Sequence, residues 1–84
     1  MKHSEILTEI QSALEEMFDL APSRTVETAH LRDDLDLDSI DAIDLAVRLK
    51  KIIGKRIELS VLQELKTVGD VVALLEKELQ KKTA

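Results

Sequence analysis

Cysteine is absent from the chain, so neither a disulfide nor a thiolate metal site can support the fold. Tryptophan and tyrosine are absent too, and a single phenylalanine leaves no stacking platform for single-stranded nucleic acid. Two glycines and one proline among 84 residues break few helices, and the strong helix formers around them point to an all-α bundle. No apolar run has the length of a membrane span, and the start Met1-Lys2-His3-Ser4-Glu5-Ile6 lacks a small-residue cleavage pattern. The expectation is a cytoplasmic protein. A net charge of −5 disfavours nonspecific binding to nucleic acid.

The chain is 44% hydrophobic and 35% charged, enough to fold one small domain over residues 1–84 and too short for a second core. Its charge is unevenly placed. Residues 27–44 hold seven acids against one base, a net −6, whereas residues 45–56 hold five bases and no acid, a net +5. The reversal falls inside one predicted helix. Acids near a helix start and bases near its end suit the helix dipole. With a Debye length of about 8 Å at physiological salt, a partner still meets the two poles separately.

Helical spacing of Ile6, Leu7, Ile10, Ala13, Leu14, Met17 and Phe18 predicts a first helix from Ser4 to Asp19, capped by Ser4 and stopped at Leu20-Ala21-Pro22. A long connection runs from there to Asp38, with Val26, Leu31, Leu35 and Leu37 expected to pin it to the core. The second helix is expected over Ser39–Ile53, closed by Gly54. One or two turns at Ser60–Leu65 make a short helix. Thr67-Val68-Gly69-Asp70 reads as a capping box before a last helix that carries Val71, Val72, Leu75 and Leu79 and ends in Lys77, Lys81 and Lys82. The predicted architecture is therefore a small four-helix bundle with three long helices, one short one and a long first loop.

Within the second helix, Ala42, Leu45, Ala46, Leu49, Ile52 and Ile53 occupy one core-facing arc. Ile40, Ile43 and Val47 form another apolar stripe outside it. Either the long loop covers that stripe through Leu35 or Leu37, or the stripe stays exposed as a docking surface.

Four aspartates crowd a serine where this helix begins, in Asp36-Leu37-Asp38-Ser39-Ile40-Asp41-Ala42-Ile43-Asp44. Serine there is a natural N-cap, and a phosphate on it would face free N–H groups and the positive end of the dipole. The spacing Asp34-x-Asp36-x-Asp38 suggests a calcium loop, but Ser39 and Leu45 stand where that loop needs glycine and glutamate. A hydrolytic triad would lack the glycine elbow around Ser39 and would need His30 from the loop. Neither His3 nor His30 has a partner at metal-ligand spacing, and both are expected to be solvated surface residues. What remains is a serine modified by another enzyme.

Leu37-Asp38-Ser39-Ile40-Asp41, set at the head of the second of three long helices, resembles the acyl carrier proteins. The resemblance runs from the first helix to the last. It implies a chain that is no enzyme, in which Ser39, with Asp38 beside it, carries 4′-phosphopantetheine taken from coenzyme A, and in which acyl groups ride as thioesters on that arm. It implies a phosphopantetheinyl transferase and ketosynthase, ketoreductase, dehydratase and acyltransferase enzymes as partners, and a monomer when free. The docking face it implies comprises Ile40, Asp41, Ile43, Asp44, Val47, Arg48 and Lys51. Carriers of primary fatty acid synthesis are usually acidic along the whole second helix and aromatic near its end. This chain has Arg48, Lys50, Lys51 and Ile52-Ile53 there, and the resemblance therefore leans to a specialised fatty acid, polyketide or polyene pathway. A peptidyl or aminoacyl carrier and an unmodified helical adaptor binding through Ile40, Ile43 and Val47 are the alternatives, with a weak calcium-binding regulator behind them.

Overall fold

Ile6, Ile10, Ala13 and Leu14 recur every three or four residues, and they form the buried face of α1 (His3–Phe18). In the computed structural model, which describes residues 2–83, α1 is succeeded by α2 (Ser39–Ile53), α3 (Leu59–Glu64) and α4 (Val68–Thr83). The side chains of Leu59 and of residues 80–83 lie outside the description, and with them the basic ends Lys81 and Lys82. α1 packs mainly on α4 and also on α2, while α3 touches α2. Leu45, Leu49 and Ile53 of α2 and Val68, Val71, Val72 and Leu75 of α4 close the core against α1. The all-α expectation, with three long helices and one short one, agrees with this architecture.

α1 starts one residue before the expected place. Lys2 is the cap, its N–H donating to Glu5 Oε1 at 3.0 Å, and Ser4 lies inside the helix, where its carbonyl accepts the Thr8 hydroxyl at 2.8 Å. The end also differs. The helix stops at Phe18 because Asp19 takes left-handed dihedrals (φ 57°), three residues ahead of Pro22. Aspartate tolerates this region better than most residues.

The 19–38 connection is held by backbone as much as by side chains. His30 and Thr67 form an isolated antiparallel bridge; Leu31 donates to the Lys66 carbonyl at 2.8 Å, Val68 to Ala29 at 3.0 Å and Gly69 to Glu27 at 2.9 Å. A Cβ at Gly69 would stand 3.1 Å from the Glu27 carbonyl oxygen, so this crossing needs a residue without a side chain. Leu35 is buried, Leu31 and Leu37 are half-buried against the core, and Val26 is exposed. The pins that replace Val26 are Leu20, Ala29 and Thr25. Thr25 is fully buried, its hydroxyl donating to the Pro22 carbonyl at 3.3 Å.

His3 is exposed, as expected, and His30 is half-buried; both have partners. His3 bridges Glu27 of the connection and Glu76 of α4 through its two ring nitrogens. His30 Nδ1 accepts the backbone N–H groups of Arg32 (3.3 Å) and Asp33 (3.2 Å), organising the turn that delivers the chain to α2. No helix among the described residues is long and apolar enough to cross a membrane.

Candidate functional site

The turn at 31–35 ends in Asp36, which has φ 57°; Leu37 N–H returns to the Leu31 carbonyl at 3.0 Å and Asp36 N–H to Arg32 at 3.1 Å. This pair of bonds closes the turn over Asp36, whose left-handed conformation swings the chain out to begin α2. Asp38 is the N-cap. Its Oδ1 accepts the N–H groups of Ile40 and Asp41, each at 3.0 Å, and Asp41 Oδ2 accepts the Asp38 N–H at 3.1 Å. The box is reciprocal and built from two aspartates.

Capping therefore falls to Asp38, not to Ser39. Ser39 is the first helical residue, it is exposed, and its hydroxyl makes no hydrogen bond among the described residues. A second expectation changes with it. The N–H groups of Ile40 and Asp41 are already taken by Asp38, so a phosphate on Ser39 would find only the Ser39 N–H open in this first turn. Aspartate outcompetes serine here because a carboxylate makes the stronger, charge-assisted bonds to helix N–H groups.

Below the cap, the stripe beside Ser39 is uncovered: Ile40 is 69% exposed, Ile43 47% and Val47 60%. The alternative, cover by the loop through Leu35 or Leu37, does not occur: Leu35 is buried in the core and Leu37 is half-buried against it, as pins of the loop. Asp44 is exposed on the same helix. Of the basic docking candidates, Arg48 is engaged by Glu16 of α1, whereas Lys51 is exposed without a carboxylate partner among the described residues. Two features escaped sequence reasoning. A groove of about 550 Å³ opens beside Ser39, with Leu31, Leu37, Ala42, Leu45 and Leu65 as apolar lining and His30, Arg32 and Lys66 as polar lining. Its far wall comes from α3 and the residues after it, which lie remote in sequence, and no local signal announces such a groove. Lys50 and Arg56 line a second groove further along α2. Among the described residues, no group of three or more histidines and acids could hold a metal ion.

An exposed serine one step inside a carboxylate-capped helix, beside a groove and an uncovered apolar stripe, is the arrangement an attached arm requires. The family described as a phosphopantetheine attachment site matches residues 6–75. The chain belongs to the acyl carrier proteins. It is 43% identical over 76 residues to acyl carrier protein 2 of Ralstonia nicotianae, covering 90% of this chain and 94% of that one. It is 37% identical over 73 residues to the meromycolate extension acyl carrier protein of Mycobacterium tuberculosis, covering 87% of this chain and 64% of the relative. The solved acyl carrier protein from Enterococcus faecalis shares the fold, with a TM-score of 0.75 at 23% identity over 93% of this chain and 99% of that one. As a member of the family, this acyl carrier protein is a non-catalytic carrier. A phosphopantetheinyl transferase gives it a covalent 4′-phosphopantetheine, and it presents acyl intermediates to the enzymes of fatty acid synthesis.

Proposed function

We propose that Ser39 is the attachment point of the phosphopantetheine arm and that α2 is the helix on which partner enzymes dock. The observation that carries this reading is the Ser39 hydroxyl, exposed and left out of the cap that Asp38 supplies. The residues present fit the group: the hydroxyl is free to form the phosphodiester, and the 550 Å³ groove beside it gives an arm or an acyl chain an apolar wall to lie against. When bound, the arm supplies a thiol that holds the acyl group as a thioester. This chain supplies the placement. Asp38 and Asp41 fix the first turn so that Ser39 points out, while Ile40, Ile43 and Val47 offer apolar contact between Asp41, Asp44 and Lys51 on one side and Lys50 on the other.

Charge complementarity speeds encounter, and a small apolar contact keeps each complex short-lived, as a carrier that visits several enzymes needs. Those enzymes are of ketosynthase, ketoreductase, dehydratase and acyltransferase type. The basic end of α2 would repel a partner whose docking surface is uniformly cationic, and this favours a specialised fatty acid, polyketide or polyene pathway over primary synthesis. The working form is a monomer of one domain, residues 1–84, in the cytoplasm.

Intact mass after incubation with coenzyme A, magnesium and a broad-specificity phosphopantetheinyl transferase tests the reading. One phosphopantetheine on the wild-type protein and none on Ser39→Ala is the expected result. Equal addition to both would move the attachment elsewhere, and no addition to a folded protein would favour the helical adaptor.

A further inference from the structure

The exposed face of α2 continues past Val47. Lys50 comes at the next three-residue step, exposed on the same side. Beneath it lies a groove of about 480 Å³ between α2 on one side and α3 with the segment leading into it on the other. Ile43, Ala46 and Val47 line one side and Ile57 and Leu62 the other, and both Lys50 and Arg56 take part in the lining. The five cations of this end are not equivalent. Arg48 is engaged by Glu16 and Lys55 by Glu78, whereas Lys50, Lys51 and Arg56 have no carboxylate partner among the described residues, and of these three Lys50 and Arg56 line the groove. The helix dipole accounts for Lys50 in the last turn. It does not account for Arg56, which lies beyond Gly54 on the opposite side of the groove.

We propose that this groove receives an apolar side chain of an enzyme partner whose contact surface sets carboxylates against Lys50 and Arg56. The proposal rests on the reading of α2 as the docking helix and deepens it: partners are selected by opposite charges at the two ends of one face. Asp41 and Asp44 near Ser39 meet cations, and Lys50 and Arg56 at the far end meet acids. Asp41 and Asp44 lie nine and six residues before Lys50, about 14 and 9 Å along the axis, so each acid stands more than one Debye length of about 8 Å from Lys50 and a partner meets the two poles separately. The charges sit at the lining of an open apolar groove, where each pair is weak and the complex releases quickly. A second copy of the chain is a poorer occupant, because a stable dimer buries about 800 Å² a side, about a seventh of this molecule's 5424 Å². One stripe of three aliphatic side chains offers far less.

The test is a methyl NMR titration of the protein, with and without its phosphopantetheine, using two stapled helical peptides of equal length. Both have a central leucine, flanked by glutamates in one and by lysines in the other. The expected result is that the acidic peptide shifts the methyls of Ala46, Val47, Ile57 and Leu62 and binds about fivefold tighter than the basic one. Lys50→Glu with Arg56→Glu reverses the order, and Lys50→Gln with Arg56→Gln, the gentler pair, removes it. Equal binding of the two peptides, shifts confined to other methyls, or a preference that survives both double variants overturns the proposal. So would shifts of the same methyls on raising protein concentration alone, which indicate a second copy, or on adding phosphatidylglycerol vesicles but neither peptide, which indicate a lipid surface. Failure of the transferase to load Ser39 bears on the carrier reading, and loss of charge preference bears on this one.

Discussion

At the start of α4, Thr67 Oγ1 accepts the Asp70 N–H at 3.1 Å, and Asp70 Oδ2 accepts the N–H groups of Lys66 and Thr67, each at 3.0 Å. At the start of α2 the same reciprocal box is closed by Asp38 and Asp41. The residues just inside the two caps have opposite surroundings. Val68 is fully buried, and the α4 box fastens the helix to the core and to the 19–38 connection. Ser39 is exposed, Ile40 is 69% exposed, and the α2 box fastens only the helix start. Where a hydroxyl does the capping it is consumed by the fold. Where a carboxylate does it, the neighbouring hydroxyl is left for chemistry.

Substitutions at the two helix starts put that contrast to the test. The largest effect belongs to Ser39→Ala, expected to abolish phosphopantetheine loading by intact mass while helix content by circular dichroism stays at the wild-type level. Next come the apolar residues beside each cap. Val68→Ala leaves a void in the core and costs about 2 kcal/mol in urea unfolding, whereas Ile40→Ala stays within about 0.5 kcal/mol because its side chain is already in water. The boxes themselves come third: Asp38→Ala and Asp70→Ala each cost about 1 kcal/mol, and Asp38→Asn, an equal cap, costs little. Asp70 also gives its box a pH response. N–H donation from Lys66 and Thr67 holds the Asp70 carboxyl below its ordinary 3.8. Its contribution is thus present above that value and is lost as pH falls through the depressed one, a loss that an acid titration of Asp70→Asn lacks.

The smallest effect is at His3, on the α4 side of the molecule. Hydrogen bonds to Glu76 and then to Glu27 raise its pKa above 6.5. A raised pKa means that the bridge contributes fully below pH 6.5 and is lost as pH rises through the folded value. Thermal unfolding at pH 6 and pH 9 should therefore differ more for the wild type than for His3→Gln.

Periodicity made the helices legible, because α1, α2 and α4 each repeat apolar residues at three and four and must bury one face. The α4 box was legible because threonine and aspartate stand at cap spacing with nothing competing. At α2 two residues competed for the cap, Asp38 and Ser39, and sequence alone favoured the serine; local hydrogen-bond strength decided for the aspartate. The exposed stripe of α2 could be read as a pattern, but its exposure depended on where Leu35 and Leu37 go, and that is fixed by the turn closed over the left-handed Asp36. Both grooves depend on α3 and its flanks, brought to α2 only by tertiary packing. His3 finds its partners 24 and 73 residues away, beyond any local signal.

Thermal unfolding of Ser39→Ala beside Thr67→Ala tests most directly whether the serine has been relieved of capping. The account predicts that Ser39→Ala melts with the wild type, while Thr67→Ala loses about 1 kcal/mol and melts about 4–8 °C lower. A Ser39→Ala protein that melts as low as Thr67→Ala would contradict it, since the serine would then be holding the helix start.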